Sequence, residues 1–126
     1  MTFQYKTDVT GKHFPVISVR LVYQEKIIDS SALIDSGATI SIFKSDVAQN
    51  LKIKIEGRKE IILGGVGGRI RGYVHSVKTE IAGKMMVIPI VFSHEYLVSF
   101  NLLGRDTFFE NFLITFDEKN KKLELK

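Results

Sequence analysis

The chain has 126 residues, no cysteine, a formal net charge of +4 and 44% hydrophobic residues. This length suits a single domain, residues 1–126, whose core needs no disulfide or metal for stability. The lack of cysteine excludes a disulfide framework, a thiol nucleophile and a cysteine-based zinc site, and it is compatible with a reducing cytoplasm.

Charge and hydropathy also bear on the partners of the chain. Basic residues are scattered and mixed with acids, as in Glu118–Glu124, so we expect a solvated surface and no nucleic-acid partner. The longest apolar run, Met85–Phe92, is far shorter than the roughly 20 residues that cross a bilayer. The first residues show no signal-peptide pattern. We therefore expect no membrane partner and a cytoplasmic location.

Apolar and polar residues follow strand patterns along most of the chain. In chain order, strands are predicted at 16–22, 32–34, 59–63, 70–81, 84–92, 101–103, 112–116 and 122–125. Ala82-Gly83 suits a short hairpin turn, and residues 117–120 suit a chain reversal. Helix is expected at 45–51, capped by Ser45, and for about one turn after Asp106. The predicted fold class is mainly β with one or two short helices.

The segment 32–39 carries an acid from an apolar strand into a turn of small residues. Asp35 follows the strand, and the next residues are Ser36, Gly37, Ala38 and Thr39. Such residues are common in turns, so the segment could simply close a hairpin. Its functional interpretation is a catalytic carboxylate on a rigid loop.

A second segment is rich in glycine, with one apolar residue between two glycine pairs. Its residues are Gly64, Gly65, Val66, Gly67 and Gly68. This pattern suits a hairpin tip that bends over a substrate and offers backbone groups to an extended peptide. A passive hairpin loop is the alternative. A phosphate-binding loop would lead into a helix, whereas Arg69 and the residues after it continue as a strand.

A third segment ends an apolar strand in glycine, and it consists of Leu102, Leu103, Gly104 and Arg105. In isolation it is an ordinary core strand. His13, His75 and His94 are too dispersed for metal-ligand spacing, so we expect no metal and no cofactor.

In this order the three segments resemble those of the retroviral-type, or retropepsin-like, aspartic proteases, over roughly residues 16–125. The resemblance implies a closed acid-protease half-barrel with Asp35 in the active-site loop, residues 64–68 as the flap tip and residues 102–106 as the brace. Retroviral members usually carry Asp where this chain has Thr39, so Arg105 lacks the partner that it has in those enzymes. Thr at this position is similar to the pepsin-like and cellular versions.

The chemistry of peptide hydrolysis has a consequence for the oligomeric state of the expected enzyme. Without a metal or a covalent intermediate, one carboxylate must take a proton from water while a second carboxyl polarises the carbonyl. Asp35 is the one Asp in the chain that is followed by Ser/Thr-Gly, so one chain supplies half of the site. The expected enzyme is therefore a two-fold homodimeric endopeptidase acting on an extended peptide or protein, with Ser36 bracing the loop near the axis.

Two alternatives remain open at this point. The alternating strand at 122–125 could join the sheet of the partner, or it could form a hairpin with 112–116 within the chain. The alternative function is a retropepsin-like dimerisation or peptide-binding module with little or no peptidase activity.

Overall fold

The computed structural model describes residues 1–57, 59–65 and 68–126, and these form a mainly β structure. Within them, the strands are β1 (Thr2–Gln4), β2 (Lys6–Thr7), β3 (His13–Phe14), β4 (Val16–Tyr23), β5 (Lys26–Ile34), β6 (Ser41–Lys44), β7 (Glu60–Gly65), β8 (Gly68–Ile81), β9 (Lys84–Ser93), β10 (Leu102–Leu103), β11 (Ile114–Asp117) and β12 (Lys122–Leu125). Helix α1 spans Ser45–Asn50, and a 3-10 helix spans Phe109–Asn111. The predicted fold class is confirmed.

The largest sheet has seven strands in the order β4-β5-β10-β6-β9-β8-β7. An additional antiparallel pairing joins β4 to β8, with Leu21 opposite Thr79. Six of the strands therefore form a continuous ring of pairings, and β7 lies outside this ring. Strand β10 runs parallel to β5, and β6 runs parallel to β9.

The core is built mainly from buried side chains of the seven-stranded sheet, α1 and β12, and residues of the connecting segments complete it. Phe43, Phe92 and Phe108 are the largest fully buried side chains. Alternation along β4 explains which residues enter the core, since the odd-numbered residues from 17 to 21 are buried and the intervening ones are exposed.

Helix α1 buries the predicted face, formed by Val47, Ala48 and Leu51. The predicted cap is wrong, however. The helix already includes Ser45, and Lys44 occupies the N-cap position without a side-chain hydrogen bond to the helix. None of the helices in the described ranges is both long enough and apolar enough to span a bilayer.

The two predicted turns are confirmed. Ala82 and Gly83 have φ values of 51° and 79°, as a tight hairpin turn between β8 and β9 requires. Asp117 accepts a hydrogen bond from the Asn120 N–H at 2.9 Å, which closes the second reversal. Strand β11 begins at Ile114, two residues later than predicted, although Leu113 already exchanges two backbone hydrogen bonds with Lys126.

The last strand belongs to a three-stranded sheet of order β1-β12-β11. Leu123 lies opposite Phe3 on one side and Phe116 on the other. Leu123 and Leu125 point into the core and are almost fully buried. The intrachain hairpin is therefore the observed arrangement, and both edges of β12 are paired with strands of the same chain.

Candidate active site

Asp35 directly follows β5, where the chain leaves the sheet. Its N–H donates to the carbonyl of Leu103 at 3.0 Å, and the N–H of Ile34 donates to the carbonyl of Pro15 at 3.0 Å. Because these two bonds come from opposite sides of β5, the end of the strand is fixed on both sides.

The carboxylate of Asp35 is held by its own loop. Its Oδ1 accepts the Gly37 N–H at 2.8 Å, and its backbone carbonyl accepts the Ala38 N–H at 3.2 Å. A Cβ at Gly37 would lie 3.2 Å from the same Oδ1, so glycine leaves room for this turn. Asp35 remains partly exposed, while Ser36 and Gly37 are exposed. The arrangement presents an oriented carboxylate at the surface of the subunit.

The predicted bracing segment lies against this loop. Leu102 and Leu103 of β10 pair in parallel with the end of β5. Beyond them, the Gly104 N–H donates to Ser41 Oγ at 3.0 Å, and the Arg105 N–H donates to the Ala38 carbonyl at 2.9 Å. The structure thus brings these four residues into contact with the Asp35 loop and its surroundings.

Asn101, just before β10, ties three strands together. Its buried side chain accepts the Lys44 N–H at 2.8 Å and donates to the Ser31 carbonyl at 3.0 Å. Its backbone carbonyl accepts the Leu33 N–H at 2.8 Å. The strand that carries Asp35 is therefore held by side-chain as well as backbone hydrogen bonds.

Thr39 and Arg105 are exposed and do not pair with each other. Among the described residues, Arg105 has no acidic partner within salt-bridge distance. The two residues line a cavity of about 440 Å³ together with Asp106, Phe109 and Glu110. Within the same described ranges, the Ser36 hydroxyl makes no hydrogen bond.

The glycine-rich segment lies in the hairpin formed by β7 and β8. Gly64 and Gly65 end β7, Gly68 begins β8, and Gly65 pairs with Gly68. Gly68 has φ +121°, which favours glycine. Val66 and Gly67, the centre of the predicted flap tip, lie outside the described residues.

A mainly apolar cavity of about 240 Å³ lies between this hairpin and residues 95–98. Its lining consists of Ile42, Leu63, Gly64, Gly65, Gly68, Ile70, Glu95, Tyr96, Leu97 and Val98. Leu97 and Val98 are largely exposed. Exposed apolar side chains beside an apolar cavity suit contact with a peptide.

Tyr96 lines this cavity, and the sequence analysis did not single it out. Its hydroxyl donates to the Phe100 carbonyl at 2.6 Å. Burial, together with the nearby negative charge of Asp35, raises the pKa of Tyr96 to about 12. The position of Tyr96 shortly before the bracing segment was its only signal in the sequence.

The three histidines contact different residues. His75 makes a hydrogen bond with the Ile55 carbonyl at 2.8 Å, and His94 lies 3.2 Å from a Glu56 carboxylate oxygen. The described part of the chain contains no cluster of three His, Asp or Glu residues that could hold a metal ion.

Residues 23–107 match the family model described as aspartyl protease. The match covers more than half of the chain and includes the Asp35 loop, the glycine-rich segment and the brace, so the chain belongs to this family. The predicted retropepsin-like aspartyl protease family is thereby confirmed. No curated protein matches the chain significantly. Membership of this family supports the interpretation that the protein is a protease.

Proposed function

We propose that the protein is a homodimeric aspartic endopeptidase in which residues 1–126 form one domain. The observation that carries this proposal is the position of Asp35. Its carboxylate is oriented by Gly37, its backbone is fixed by Leu103, and its charge acts on Tyr96 in the wall of the apolar cavity. A partly exposed, oriented carboxylate is what a general acid–base catalyst needs.

The second carboxylate would come from another copy of the chain. Hydrolysis of a peptide by activated water needs one ionised and one protonated carboxyl at the same site. An isologous contact between two Asp35 loops would bring two copies of the same carboxylate together on the two-fold axis. The exposure of Ser36 and Gly37 supports this, since these residues could then meet their counterparts.

The substrate would bind as an extended strand between the Asp35 pair and the β7–β8 hairpins. Gly64, Gly65 and Gly68 leave the backbone at the end of the hairpin accessible, and backbone groups can pair with an extended peptide. Side chains of the peptide would alternate in direction, so every second one could enter a cavity such as that beneath Leu63 and Ile70.

Incubation of the purified protein with a mixed peptide library, from acidic to neutral pH, tests this function. We expect cleavage that an aspartic-protease transition-state analogue inhibits and that Asp35→Asn removes. Binding of library peptides without any cleavage would instead favour the alternative, a dimerisation or peptide-binding module. Cleavage that persists in Asp35→Asn would exclude the proposed role of Asp35.

A further inference from the structure

The β7–β8 hairpin leaves the main sheet at a defined point. The ladder between β8 and β9 runs from the Ile81–Lys84 pair to the Tyr73–Phe92 pair, and β9 ends at Ser93. From residue 72 to residue 68, β8 pairs with β7 alone. A two-stranded ribbon of this kind has little stability of its own. Its orientation must therefore depend on contacts near the point of departure.

At this point, side chains replace the next step of the ladder. Continuing the register would place Gly72 opposite Ser93 and Arg71 opposite His94, but neither pair forms. Instead, Glu95 Oε1 accepts the Arg71 N–H at 2.9 Å, and Ser93 Oγ donates to the Arg71 carbonyl at 2.5 Å. The Glu95 N–H in turn donates to Ser93 Oγ at 3.1 Å. The backbone N–H and the backbone carbonyl of Arg71 are thus both hydrogen-bonded to side chains.

Two further observations link these contacts to the candidate site. Glu95 lines the apolar cavity together with the glycines of the hairpin and Tyr96. One residue further along β8, a Cβ at Gly72 would lie 2.5 Å from Val91 Cγ1, so glycine lets β8 pass very close to β9 here. The side chains of Ser93 and Glu95 therefore act where the close contact between the two strands ends and the projecting ribbon begins.

We propose that Ser93 and Glu95 form a latch that positions the β7–β8 hairpin over the cavity. These are positioning residues, because they act on the hairpin through the backbone of Arg71. Opening the hairpin for substrate requires a contact that can break and re-form, and the Glu95–Arg71 hydrogen bond is exposed to solvent. As a consequence for the reaction, which rests on the proposed peptidase function, the latch contributes to substrate binding more than to the chemical step.

Three variants test the latch. Glu95→Ala removes the acceptor, Glu95→Gln keeps an oxygen that can accept the same N–H, and Glu25→Ala is a control in the exposed β4–β5 turn. Hydrogen exchange of the Arg71 amide is measured by NMR. We expect about tenfold faster exchange in Glu95→Ala and near wild-type exchange in the other two variants. Unchanged exchange in Glu95→Ala, with the fold intact, would overturn the latch.

Steady-state kinetics on a peptide that the wild-type protein cleaves test the consequence. We expect KM to rise about tenfold in Glu95→Ala with kcat changed less than about threefold, and Glu95→Gln to restore KM. A loss confined to kcat would overturn the role in substrate binding. Hydrogen exchange at Arg71 does not depend on catalysis, so it tests the latch even if the wild-type protein cleaves no peptide. That outcome would contradict only the proposed function.

Discussion

Gly104 lies against the backbone of Ile40, so closely that a Cβ on Gly104 would be 2.5 Å from both the carbonyl carbon and the carbonyl oxygen of Ile40. The same Cβ would lie 2.9 Å from the Ala38 carbonyl oxygen. Backbone atoms cannot move aside as the end of a flexible side chain can. The absence of a side chain at position 104 therefore determines how closely the bracing segment approaches the Asp35 loop.

Gly104→Ala is expected to destabilise the protein by about 1–3 kcal/mol, because the new methyl group must displace backbone in a packed region. The free energy of unfolding is measured by urea denaturation. Gly64→Ala is the matched control, since a Cβ there meets nothing within 4 Å. Equal stability of the two variants would show that the close approach at Gly104 has no energetic importance.

Asp35→Asn is expected to abolish hydrolysis, with a loss of at least about 10²- to 10⁴-fold, because an amide cannot accept the proton from water. The fold should persist, since the Asn oxygen can still accept the Gly37 N–H. Activity against a cleaved library peptide and the circular dichroism spectrum are measured together. Substantial turnover by a pure, folded variant would contradict the assignment of Asp35 as the acid–base residue.

Local signals explain how much of this structure was predictable. The strand that leads to Asp35 follows from the apolar residues 32–34, and the turn at Ala82-Gly83 follows from turn chemistry. Both signals lie in neighbouring residues. Strand β6 was missed because its pairing partner, Ile90–Ser93, lies far away in sequence. The contact of Glu95 with Arg71 was missed for the same reason, since a side chain that replaces a ladder bond leaves no periodic pattern.

Gly68→Val is expected to impair catalysis more than folding. The φ of +121° at Gly68 lies in a region that a β-branched residue rarely adopts, so the end of the hairpin must change conformation. Gly65→Val is the comparison, because Gly65 pairs with Gly68 but lies outside that region. We expect kcat/KM to fall further in Gly68→Val, with both thermal midpoints near that of the wild-type protein. Equal kcat/KM values would mean that the conformation of Gly68 is unimportant for the reaction.

Leu123→Ala is expected to cost about 2–5 kcal/mol of unfolding free energy, since the side chain is 1% exposed in the central strand of the three-stranded sheet. Lys122→Ala, on the same strand but exposed, should change stability by less than about 0.5 kcal/mol.

A chain ending at Asn120 lacks the whole strand and should lose cooperative unfolding. If that shorter chain folded stably but became monomeric, β12 would belong to the subunit interface and not to the core.

The last prediction concerns the shared site. In the proposed mechanism each chain supplies one of the two carboxylates. Specific activity should therefore fall when the protein is diluted below the dimer dissociation constant, in step with the dimer fraction measured by sedimentation. Adding excess Asp35→Asn chain to a fixed amount of wild-type chain should also inhibit, since mixed dimers hold one Asp35 only. The control is an equal amount of unrelated protein, which should leave activity unchanged. Constant specific activity in a species shown to be monomeric, or indifference to the Asn chain, would refute the two-subunit mechanism while leaving the fold and the family unaffected.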